Sequence, residues 1–421
     1  MQRGSGFLRK LHFFLLCLVC AFPLLPFKLI PLIITLWCVS TLFCWRIPPL
    51  SDRKNYIMLL LFILPFLMHA ACLLASPSDP EIQFLTERKM GLFFIPLCIF
   101  FIRNEITSQR LHILFHVFIF SLLLEMIRSN IVILQYHSDI FSLVNNEFSY
   151  AYRTLLEQIT AIHPTYFGML LFFAAFLDFH MMMQELGTGK RRWLLLRITV
   201  LGLLILSAVL TGGRSPLAAF MAASFLYLIF EWGFGKKMLV STLILASVTF
   251  AALYFTPTLK NRVQEISDFS GEAPVDNEQN TLNIRTGIYS CSWELVRQNW
   301  LTGTGPSNVQ RSLNQCYSKL NSNVFSQRHY NTHNELLNHW ISFGIAGLLA
   351  LLAVFFIPGY FAVKEKNIIY LCFLLFFFIC CMTENLLSRQ MGVVFYALFN
   401  ALLAFAGKPA IPLKEQEPVH K

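Results

Sequence analysis

Arg214 stands in Thr211-Gly212-Gly213-Arg214-Ser215-Pro216, between two apolar stretches. A serine followed by proline makes a good helix start, with the hydroxyl as cap and the proline in the first turn. The guanidinium is then held at a membrane boundary beside free backbone N–H groups, a place that suits a phosphate. A snorkelling arginine at the interface is the plainer alternative, although snorkelling does not call for two preceding glycines. The residues alone leave both readings open.

Asn331-Thr332-His333-Asn334-Glu335 opens a later apolar stretch. Thr332 and Glu335 have capping-box spacing, which predicts a helix start there. His333 then falls in the first turn at the water boundary, where a neutral imidazole can take a proton as a general base. An ordinary polar helix start is the alternative. His339 lies deeper and on another face, and reads as structural. In Arg285–Leu295, apolar residues at 288, 289, 293 and 295 predict a helix with one face on the membrane and Arg285 in its first turn. The Gly303-Thr304-Gly305-Pro306 that follows is a turn, lacking the Lys-Ser/Thr of a phosphate loop and the strand of a dinucleotide fold. Arg88 after Glu87, His163-Pro164, and the Glu384–Arg389 segment are further polar positions, each more often a loop or cap residue than a site.

These residues must be positioned by membrane helices. Apolar types make up 56% of the 421 residues and charged types 13%, against about a quarter in soluble domains; mean hydropathy is +0.58. The apolar runs are continuous, not alternating, which excludes a transmembrane β-barrel and leaves helices. About twelve such runs of near-spanning length occur between residues 11 and 406. The expected fold is therefore all-α and polytopic: helices 1–9 within residues 1–256, a long polar loop with short helices at 257–333, and helices 10–12 with a tail at 334–421. The basic N-terminus leads into a first membrane helix, since no small-residue cleavage site follows.

The net charge of +10 is spread over short inter-helix loops, which fits membrane orientation and not nucleic acid. Counting bases puts both termini in the cytoplasm and the long loop outside, so that the polar motifs share one face. The eleven cysteines have no zinc spacing, and all but Cys291 and Cys316 lie in apolar runs. Those two would sit in an oxidising compartment, where a chain reversing at the Gly303–Pro306 turn could bridge them; two unpaired thiols are the alternative. No paired aspartates for a divalent metal are found, and no row of intramembrane carboxylates for a proton path.

Taken together, the motifs resemble the O-antigen ligase family of bacterial envelope glycosyltransferases, which includes related polymerases. The resemblance rests on Arg214, on the Arg285 helix with Ile288-Tyr289 and its following Gly-x-Gly, and on His333-Asn334-Glu335 with Gly344-Ile345-Ala346-Gly347. His163-Pro164-Thr165-Tyr166 also fits, and the matched region runs over roughly 160–350. The family pattern often has two neighbouring histidines before Asn-Glu; here the upstream one is His329, preceded by Arg328. The resemblance implies twelve helices, a large periplasmic loop, and metal- and cofactor-free transfer of a glycan from undecaprenyl diphosphate to an acceptor hydroxyl in the inner membrane. It implies that Arg214 and Arg285 hold the diphosphate and that His333 is the base, with Arg88, His163, Arg328, His329 and Glu335 as possible support. The leading reading is a ligase with the lipid A–core as acceptor. A polymerase using a second lipid-linked glycan stays open. So does a lipid-linked sugar transporter, although a transporter should place polar residues along the midplane and not at one face.

Overall fold

Long apolar runs force the backbone to satisfy its own hydrogen bonds, and the computed structural model of the chain is accordingly all-helical. The structure describes residues 6–49, 51–143, 146–187, 193–254, 266–275, 280–320 and 322–406. The expected tail beyond 406 and parts of the expected polar loop, 257–265 and 276–279, lie outside these residues. Helices α1 (Gly6–Cys20), α2 (Leu29–Thr41), α3 (Arg53–Ala75), α4 (Pro80–Arg88), α5 (Gly91–Ile102) and α6 (Ser108–Tyr136) come first. The chain continues through α7 (Asn146–Thr160), α8 (Pro164–Gly187), α9 (Leu194–Leu210), α10 (Arg214–Trp232) and α11 (Lys236–Tyr254). The polar region holds α12 (Thr281–Asn299), α13 (Val309–Tyr317) and α14 (Asn323–Gln327). Then come α15 (Glu335–Lys364), α16 (Ile368–Cys381) and α17 (Gln390–Phe405).

Among the described residues, α3, α6, α8, α10 and α15 are long and apolar enough to cross a membrane. Helices α2, α9, α16 and α17 are apolar but shorter. The bundle is centred on α8 and α17, both buried along nearly their whole length. Phe399 packs edge-on to Phe118 of α6 at 4.7 Å and to Phe173 of α8 at 5.0 Å. Large apolar side chains on α2 and α11, such as Leu32, Leu36, Leu243 and Ile244, point outward, as a lipid-facing surface requires.

The polar region builds its own small core. Ile288, Val296, Leu313, Tyr317 and Phe325 pack together with Ile341 of α15. The apolar face of α12 is therefore turned onto this core, where the sequence pattern alone predicts a membrane face; burial against α13 is the stronger demand. Cys291 of α12 and Cys316 of α13 are joined by a disulfide, with their Cα atoms 5.7 Å apart.

Helix α15 breaks at Gly344, whose φ of 64° only glycine adopts readily. The Trp300–Gly305 turn fills the break. Thr304 N donates to Ile341 O at 2.7 Å, Gly305 N to Ser342 O at 3.1 Å, and Ile345 N to Trp300 O at 2.8 Å. A Cβ on Gly344 would lie 2.0 Å from Leu301 O, and one on Gly303 would lie 2.5 Å from Gly344 N. The two glycine motifs thus serve one backbone-to-backbone joint between the polar region and the bundle.

A disulfide closing this loop is expected to contribute about 3 kcal/mol to its stability. Mass spectrometry of unreduced protein should recover the Cys291 and Cys316 peptides cross-linked. Two freely alkylatable thiols would contradict the bridge.

Candidate functional site

The starts of α8, α10 and α15 and the end of α16 meet at one end of the bundle, because neighbouring helices alternate in direction. A short segment after α16, Thr383-Glu384-Asn385-Leu386-Leu387, is the point where they are tied. Asn385 Oδ1 accepts from Asn334 N at 2.8 Å and from the Thr332 hydroxyl at 3.0 Å. The Tyr166 hydroxyl donates to Asn385 O at 2.8 Å, and Asn334 Nδ2 to Met382 O at 3.1 Å. Glu335 Oε2 accepts from Leu387 N at 2.9 Å, while the buried Lys89 ammonium donates to Leu387 O at 2.6 Å. Thr383 donates its hydroxyl to Ser215 at the head of α10.

These bonds explain where the helix starts differ from expectation. Thr332 does not cap α15, because its hydroxyl is engaged with Asn385; Asn334 is the cap instead, accepting from Leu337 N at 3.1 Å. His333 therefore precedes the helix and is not in its first turn. Its φ of 43° is uncommon for a non-glycine residue. Asn331 Oδ1 accepts from His333 N at 2.9 Å, and the Tyr289 hydroxyl donates to His333 O at 3.4 Å. Likewise Ser215 does not cap α10. That helix begins at Arg214 itself, with Gly213 as the capping position. Arg285 lies one turn into α12, capped by Asn280, so that Arg285 and Tyr289 share a face at i,i+4 spacing.

Glu384 stands at the centre of the cluster. His333 Nδ1 lies 3.5 Å from Glu384 Oε2, and Arg285 Nη2 lies 3.8 Å from Oε1. At 3.5 Å the histidine contact is long for a hydrogen bond. Burial pushes the Glu384 carboxyl up, but His333, His163 and Arg285 together outweigh it, and the group is held below its ordinary value. Its charge therefore stabilises the fold above the ordinary carboxylate range, and the contribution is lost as pH falls through the lowered value. Arg153 of α7 also feels Glu384. His163, just ahead of α8, is pushed down by burial, more than Glu384 and Glu157 raise it. Arg214 contacts Thr281 Oγ1 at 3.4 Å and is close enough to Arg285 and Arg153 to be repelled by both.

The structure thus brings Arg214, Arg285, His333 and His163 together. It does not bring Arg328 or His329, which are exposed; His329 Nδ1 instead meets Asn314 Nδ2 at 3.3 Å. Glu335 is buried and faces inward, pairing with His339 at 3.2 Å. Arg88 lines a neighbouring cavity. Glu384 and Arg153 are the residues that sequence reasoning passed over. The available signal for Glu384 was a lone carboxylate just after an apolar run, on the face that also carries a candidate base.

Several guanidiniums and an imidazole beside a carboxylate are thus gathered at one end of a bundle whose long helices are apolar enough to cross a membrane. Residues 199–352 match the family model for O-antigen ligase. The match takes in Arg214, Arg285, His333 and Gly344, whereas Glu384, His163 and Arg153 lie outside it. Comparison with curated proteins returns no match.

Replacing Asn385 by leucine should strand the Asn334 N–H inside the protein and leave the Thr332 hydroxyl only the Asn334 carbonyl. Each buried polar group left without a partner costs about 1–3 kcal/mol. Thermal unfolding of the detergent-solubilised Asn385→Leu variant should show a melting temperature several degrees lower. An unchanged value would mean that the segment does not tie the helix starts together.

Proposed function

We propose that the chain is an inverting, metal-independent glycosyltransferase that moves a polysaccharide from undecaprenyl diphosphate to the lipid A–core. The reaction is assigned to the periplasmic face of the bacterial inner membrane, with both termini cytoplasmic. The observation that carries the reading is the juxtaposition of Arg214 and Arg285 with a His333 paired to Glu384.

In this scheme Arg214 and Arg285 bind the donor diphosphate, Arg285 from a position also held by Glu384. An acceptor hydroxyl attacks the anomeric carbon of the donor sugar. The bond from that carbon to the diphosphate oxygen breaks, and its electron pair leaves with the lipid diphosphate. Guanidiniums aimed at the leaving oxygens stabilise the charge that a metal would otherwise neutralise. The hydroxyl proton passes to His333. A carboxylate at Nδ1 favours the tautomer with its proton there, which leaves the Nε2 lone pair to accept. Outside the cytoplasm no nucleotide sugar is at hand, so a lipid-linked donor is the consistent choice.

The test is complementation of a deletion strain, read as lipopolysaccharide on gels. The deletion should lose all polymer from the core, with chains accumulating on the lipid carrier; a single repeat unit remaining on the core would instead mean a polymerase. Arg214→Ala and Arg285→Ala should fail to complement while accumulating normally, and lysine should rescue only partly because it makes no bidentate phosphate contact. His333→Ala should lose about 10²–10⁴-fold in transfer rate, and Glu384→Gln should fall in the same direction. His329→Ala, at an exposed position, should complement fully. Full activity in both arginine variants would contradict the diphosphate assignment.

A further inference from the structure

Two other guanidiniums near this site have no part in the scheme above. A cavity of about 720 Å³ opens between α4, the residues before α8, α13 and the 385–391 segment. That volume falls within the roughly 300–1,000 Å³ of small-molecule sites. Arg88 and Arg389 line it, near enough to repel each other. Among the described residues neither is held in an ion pair. Arg88 lies 3.9 Å over the Phe84 ring, and Arg389 lies 5.7 Å from the Tyr166 ring. Glu81 is the one carboxylate among the described residues of the lining. The side-chain amides of Gln310, Asn331 and Gln390 also line it, which suits sugar hydroxyls better than an acyl chain.

The cavity reaches the reaction centre without sharing its cations. His163 lines it, and so does Asn331, which accepts from His333 N at 2.9 Å. Arg214 and Arg285 do not line it. Two separate sets of guanidiniums therefore flank one proton acceptor, and two anionic ligands meeting there would account for both. We propose that this cavity holds the acceptor glycan, and that Arg88 and Arg389 bind an anionic substituent on it, a phosphate or a carboxylate. The assignment rests on the transferase reading for the word acceptor, and on the cavity's own charge and lining for the ligand class.

Binding measured by calorimetry on the full-length protein in detergent tests it without turnover. The probe is a deacylated, phosphorylated lipid A–core oligosaccharide, compared with the same oligosaccharide after phosphatase treatment and after carboxyl reduction. The wild type should bind the charged probe, and stripping one kind of anion should weaken binding about tenfold or more, which identifies the group. Arg88→Gln combined with Arg389→Gln should weaken the charged probe to the level of the stripped one, and Arg88→Lys should be intermediate. Equal wild-type affinity for charged and fully stripped probes would overturn the proposal, even if the double variant failed to fold. So would wild-type affinity in a folded double variant. A protein that binds the probe with this pattern but transfers nothing would contradict the transferase reading alone; normal transfer with no charge preference would contradict only the cavity assignment.

Discussion

Glu384 is a buried carboxylate approached by Arg285, Arg153, His333 and His163 from four different parts of the chain. Without it Arg285 and Arg153, both near Arg214, would lose a shared negative partner. A carboxylate there allows the cations to gather, yet it does not neutralise them all. Arg214 adds another guanidinium at the same place. In the proposed reaction that surplus meets the donor diphosphate. In the proposed reaction the Glu384 carboxylate beside Nδ1 would leave Nε2 of His333 to accept the proton.

Such a carboxylate must be held firmly, and its neighbours do this by backbone contacts. Lys89 grips the carbonyl of Leu387 and Glu335 grips its N–H, so that the residue is fixed from both sides. Asn385 binds the approach to α15, and Tyr166 binds Asn385 in turn. On the other flank, the break at Gly344 admits the Trp300–Gly305 turn and so fixes α12, which carries Arg285. The site is assembled from helix ends, but each end is anchored to a different helix.

Much of the architecture was legible in the sequence, because apolar runs of this length admit only helices. The candidacy of Arg214, Arg285 and His333 was legible too, since each sits in a short polar motif beside such a run. The helix starts were not. Ser215 and Thr332 have the local signature of caps, but both hydroxyls are taken by the segment after α16, at Thr383 and Asn385. A cap is a local signal, and a partner far along the chain overrides it. Glu384 was read as an ordinary loop position for the same reason: its surroundings come from four elements that only folding brings together. Arg328 and His329 show the reverse case, close in sequence to His333 but turned away from it.

The proposed reaction is a direct displacement at the anomeric carbon, with His333 taking the proton and no covalent sugar on the protein. The most direct measurement is nuclear magnetic resonance of the product formed by purified protein from a lipid diphosphate donor of known anomeric configuration. The newly made glycosidic linkage should have the opposite configuration to the donor. Retention of configuration would require a second displacement, and would contradict the single-step mechanism built around this cluster.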